Sequence, residues 1–170
     1  MKHQARAAAL EFRRADTYIR TAVFVAASVI LPQVCHAFGI SGQVFIPIMF
    51  FALFAAIRFG LVCGLLTAVF SPIASFLISG MPDAAILPVI VVKSAALATV
   101  LGAIIAKRGR INFLGVLAAV VSYQIAGFLL QGAVTGDFAA AWNAVAISWP
   151  GMLIQFAAGS LMAWLIFRNN

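Results

Sequence analysis

Residues 44–79, VFIPIMFFALFAAIRFGLVCGLLTAVFSPIASFLIS, decide the fold. Arg58 is the single charged residue in this run and separates two apolar spans, 44–57 and 59–79. The first of them is short. About 14 residues of helix cover about 21 Å, so this span is expected to be tilted, bent or flanked by backbone packed inside the protein. Reading outward by apolar run and breaker gives 18–37 before it and 84–106, 111–131 and 145–167 after it. The result is an all-α membrane protein with six transmembrane helices in one integral domain, 1–170.

Composition agrees with that reading. Of the chain, 65% is hydrophobic and 9% charged, against roughly 25% charged in a soluble domain. Mean hydropathy is +1.12, which excludes a soluble globular protein. Six spans of about 20 residues take about 120 positions, and no soluble catalytic or ATP-binding domain is expected in the remainder.

A net charge of +7 in a soluble chain would suggest nucleic acid, but in a membrane chain the basic residues are read by their place relative to the spans. No nucleic-acid partner is expected. Lys2, Arg6, Arg13, Arg14 and Arg20 precede or open the first span, Arg58 follows the second, Lys107, Arg108 and Arg110 follow the fourth, and Arg168 follows the sixth. The connections on the other side, 36–43, 80–83 and 132–144, carry no Lys or Arg and hold Asp83 and Asp137. The positive-inside rule then puts both termini in the cytoplasm, with 1–17 retained as a basic segment on the membrane surface. An even number of spans follows.

Lys93 is the basic residue left over. At about nine residues into its span it is expected about 14 Å deep, where burial costs about 2.5–3.5 kcal/mol on insertion scales. Either it snorkels or finds carbonyls and polar neighbours, or it faces a polar cavity and meets an anionic group of a ligand. Tyr123, Gln124, Gln131, Trp149 and Gln155 are the other polar candidates in the spans; each can equally serve to join helices or, for Trp149, mark the interface. The four acids lie outside the apolar cores, and there is no HExxH, GxSxG or paired intramembrane carboxylate, so enzymatic chemistry is not expected. Cys35 and Cys63 have no metal-ligand spacing. No metal and no cofactor is expected.

Several segments, taken in order, resemble a known family. His36-Ala37-Phe38-Gly39-Ile40-Ser41-Gly42-Gln43-Val44-Phe45-Ile46-Pro47, then Arg58-Phe59-Gly60, Ser71-Pro72 and Ser75-Phe76-Leu77-Ile78-Ser79-Gly80-Met81-Pro82 are similar to the substrate-binding S components of energy-coupling factor (ECF) vitamin transporters. Trp149-Pro150-Gly151-Met152-Leu153-Ile154-Gln155 resembles the Pro-Gly and Gln signature of their last helix. The resemblance covers most of the chain. It implies a six-helix, S-component-like bundle in the cell membrane of a prokaryote that binds a vitamin or related small molecule from outside and hydrolyses nothing itself. The implied partners are membrane lipid, a transmembrane coupling subunit and ATPase subunits. The family's Ala-x-x-x-Ala face for the coupling subunit is matched by Ala22 and Ala26.

The implied ligand contacts are Lys93, Gln124 and Gln155 for orientation, with Tyr123 beside them and Trp149 and Phe38 for apolar surface. His36, Gln43 and Met81 complete the implied substrate contacts, and the outer connections 39–43 and 80–83 would gate the site. Where relatives have Glu after a Pro in the fourth span, this chain has Pro88 and then Lys93, and a Gly-Arg of the fifth span is replaced by Tyr123-Gln124. That exchange favours a carboxylate or phosphate on the ligand. A structural six-helix protein and a solitary carrier remain the alternatives.

Overall fold

A computed structural model describes residues 14–39 and 47–168. The basic stretch before Arg14 and the connection containing Gln43 lie outside the described residues, as does the side chain of His36. Six helices account for nearly all of the described chain: α1 Ala15–Ala37, α2 Pro47–Ser79, α3 Leu87–Arg108, α4 Phe113–Thr135, α5 Phe138–Ile147 and α6 Trp149–Phe167. There is no strand among the described residues. All but α5 are long and apolar enough to cross a membrane.

α2 is not one rod. Gly60 has φ 89° and ψ −175°, a backbone conformation that side chains with a Cβ rarely adopt. The chain folds back there: a Cβ placed on Gly64 would stand 2.8 Å from Cα of Ala56, whereas eight residues along a straight helix are about 12 Å apart. The break expected at Arg58 therefore falls at Gly60, because only the glycine takes the reversing torsion. Two antiparallel arms result, 47–59 and 61–79.

The first arm is the centre of the bundle. Met49, Ala52, Leu53 and Ala56 are fully buried and meet Leu97, Ala98 and Leu101 of α3 and Val116, Ala119 and Tyr123 of α4 in one core cluster. Gly102 of α3 lies against Leu61 and Gly159 of α6 against Val116 and Leu53. Small residues at these crossings let the backbones approach closely, which is what holds helices together where lipid offers no hydrophobic contrast. α1 packs on α2 through Thr21, Ser28, Val29 and Pro32, and exposes Ile19, Ala22, Val23, Ala26 and Ile30.

Other boundaries move for local reasons. Pro88 in the first turn starts α3 at Leu87, since proline fits where no N–H is needed. Gly136, at φ 70°, ends α4 at Thr135. The stretch 132–144, expected as a connection, holds the last turn of α4 and most of α5: Asp137 caps α5 by accepting the N–H of Ala140 at 2.8 Å, and an alanine-rich turn follows. The expected span 145–167 is likewise broken at Ser148, because Pro150 supplies no N–H to carry the ladder from α5 into α6. The antiparallel course gathers Arg14, Arg20, Arg58, Lys107, Arg108 and Arg168 at one end of the bundle and leaves Asp83 and Asp137 at the other.

Candidate functional site

Three helices bring most of the polar candidates together. Lys93 sits six residues past the start of α3, which places it about 9 Å in along the helix rather than 14 Å; the difference is the later start at Leu87. Its Cγ, Cδ and Cε lie against Gly127 of α4, so closely that any Cβ at that position would overlap them. The stem thus runs across α4, and the ammonium lies 5.7 Å from the centroid of the Tyr123 ring.

Tyr123 is itself completely buried, with its hydroxyl against the Gln155 amide of α6, which is also completely buried. One position on, Gln124 turns to the break between α5 and α6. Its Nε2 donates to Oγ of Ser148 at 2.7 Å, and that hydroxyl donates to the carbonyl of Val145 at 2.9 Å. Oε1 of Gln124 is buried and meets no donor among the described residues.

Ser148 and Gly127 are the site residues that sequence reasoning missed. Both left a signal. Gly127 follows Tyr123 by one helical turn, on the same face, and Ser148 precedes a Trp-Pro pair in the position of a helix start.

The charge of Lys93 is only partly answered. The ion pair among the described residues is Arg20 with Asp16, far from it in sequence and at the opposite end of the bundle. A cation held on an aromatic face gains about 0.5–2 kcal/mol, against a burial cost that reaches about 2.5–3.5 kcal/mol at the membrane centre and falls toward the interface. The free acceptor of Gln124 and the under-compensated ammonium are what a polar, anion-bearing molecule would complete.

Other expected contacts stand apart from this cluster. Trp149, in the first turn of α6, is 59% exposed, Phe38 is 78% exposed and Met81 46%. As they stand, none is enclosed with Lys93. Gln131 is half-buried near the end of α4. No group of metal-ligating side chains occurs among the described residues. Comparison with family models, with curated proteins and with solved structures gave no match.

Proposed function

We propose that this chain is the substrate-binding membrane subunit of an ECF-type importer, taking a small, vitamin-like anion from outside the cell for ATP-driven uptake by partner subunits. The observation that carries the reading is the half-buried Lys93, set over the ring of Tyr123, whose hydroxyl meets Gln155, with no carboxylate partner among the described residues. An ammonium so placed favours a ligand bearing a carboxylate or phosphate. Phe38 and Met81 lie at the same, non-basic end, and the connections that carry them would close over the entrance. Energy would come from ATPase partners, as this sequence has no Gly-x-x-x-x-Gly-Lys-Ser/Thr loop.

Mild detergent purification followed by mass spectrometry of retained small molecules tests the reading. An anionic molecule at near-stoichiometric amount is the expected result. One observation favours a structural role instead: the Lys93 stem already fills the space at Gly127 and its ammonium already has a ring beneath it. Recovery of no small molecule, under conditions that keep the protein folded, would support that second reading. A solitary carrier would be recognised by uptake into vesicles holding this chain alone.

With α2 counted as two crossings the proposed topology has six spans and cytoplasmic termini in a prokaryotic cell membrane. A cysteine introduced at Asp83 or Asp137 should then react with an impermeant reagent added to intact cells. Reaction only after permeabilisation would reverse the orientation.

Ala22 and Ala26 share the exposed face of α1, where a coupling subunit would approach. Replacing both with Leu should reduce copurification of that subunit about tenfold, the size of a hot-spot loss of about 1–2 kcal/mol, with ligand binding unchanged. Equal loss of both would assign the pair to internal packing.

A further inference from the structure

At the basic end, the first turn of α1 and the Gly60 turn of α2 enclose a cleft of about 70 Å³ lined by Arg14, Asp16, Thr17, Arg20, Phe59 and Cys63. Two guanidinium groups share one ring there: Arg20 lies 4.5 Å and Arg58 5.3 Å from the centroid of Phe59. Asp16, paired with Arg20, is the single carboxylate lining the cleft. Arg14 and Arg20 line the cleft and Arg58 stands against the same ring, so the charge around it is in positive excess over the one acid.

We infer that this cleft binds the phosphate of an anionic membrane lipid. Phe24 packs edge-on against Phe59, 5.8 Å away between centroids, which fixes the ring that both guanidinium groups contact. Like charges gathered around one ring repel, and Asp16 answers only Arg20 among them. Arginine forks match phosphate oxygens in pairs, and they do so better than lysine.

The choice of a lipid over a free anion comes from what lies next to the cleft. Val23, one turn beyond Arg20, and Ile19 beside it are exposed on α1 at 63% and 64%. In a membrane that apolar face is covered by acyl chains. A headgroup held by Arg20 and Arg58 would therefore have its own chains along Ile19 and Val23. Basic clefts between helix ends are where anionic headgroups lodge. None of these residues belongs to the Lys93 cluster, so this inference stands independently of the proposed importer.

Native mass spectrometry of the full chain, titrated in detergent with phosphatidylglycerol or phosphatidylcholine, tests it. Phosphatidylglycerol should bind at least about tenfold more tightly, and Arg20→Gln with Arg58→Gln should remove that preference, as expected from two basic residues at a headgroup. Asp16→Asn should act in the opposite sense, strengthening phosphatidylglycerol binding a few-fold, and keeps the test open if the double variant does not fold. Lys107→Gln with Arg110→Gln, on the same end but outside the cleft, should leave the preference within twofold.

Equal binding of the two lipids would overturn the inference. So would an equal loss in the Lys107 and Arg110 variant, which would mean diffuse surface charge. Displacement of phosphatidylglycerol by inorganic phosphate at comparable concentration would overturn the lipid assignment in favour of a soluble anion.

Discussion

Lys93→Met is expected to fold, to be as stable as the unmodified protein or more so, and to lose about 2–5 kcal/mol of ligand binding, the cost of truncating one member of a buried charge pair. Methionine keeps most of the stem that packs on Gly127 and removes the ammonium whose burial opposes folding. Lys93→Gln should fall between the two, with a donor but no charge. Gly127→Ala offers an independent check: its new methyl group would occupy the place of the Lys93 stem, and that flexible chain can move aside at little cost to stability. It should therefore weaken binding by displacing the ammonium while the charge remains. Thermal unfolding paired with binding of the copurified molecule separates these effects. Unchanged binding in Lys93→Met would make Lys93 structural and remove the argument for an anionic ligand.

How much of this was legible in the sequence depends on what each residue had to signal. Lys93 stood out because a lone charge inside an apolar run has no local explanation. The basic end was legible because, Lys93 apart, Arg and Lys recur at or between the ends of alternate runs. Which face of a helix turns inward was not. Helices that are apolar all round carry no amphipathic stripe, so periodicity did not separate the enclosed Tyr123 from the exposed Trp149, for which an interfacial place was one of the expectations. The Tyr123–Gln155 contact and the Gln124–Ser148 hydrogen bond cross between helices, and a single sequence does not encode such pairings locally.

The break at Ser148 was half visible. Trp149-Pro150-Gly151 marks a helix start, yet the run is apolar from Ala144 to Ile154 apart from Ser148, so apolarity suggested continuity where the missing N–H of Pro150 dictates a bend. That bend has a consequence for the site. It brings the buried Ser148 hydroxyl within hydrogen-bond reach of Gln124. A straight helix from Phe138 to Phe167 would hold neither the bend nor the hydrogen bond at the same place.

Gly64→Val is expected to be the most damaging single change to the fold. A Cβ at Gly64 would lie 2.6 Å from Cβ, 2.8 Å from Cα and 3.1 Å from N of Ala56. Those are backbone atoms and a methyl group, with no rotamer to yield, and Ala56 is fully buried. Relief requires lifting the first arm of α2 off the second. That arm is the one around which α3, α4 and α6 close, through Leu53 and its neighbours, so the displacement would spread through the whole core. Overpacking costs about 1–3 kcal/mol when the surroundings relax, and about 3 kcal/mol or more is expected here because they cannot. Ala103→Val adds a comparable side chain to an exposed position of α3, and should stay within about 0.5 kcal/mol of the unmodified protein. Thermal unfolding and size-exclusion profiles in detergent should show a large loss for the first variant and almost none for the second. A Gly64→Val protein that unfolds at the original temperature would mean that the two arms do not touch at Ala56. The reversal at Gly60 would then fail, and with it the even number of crossings proposed for this chain.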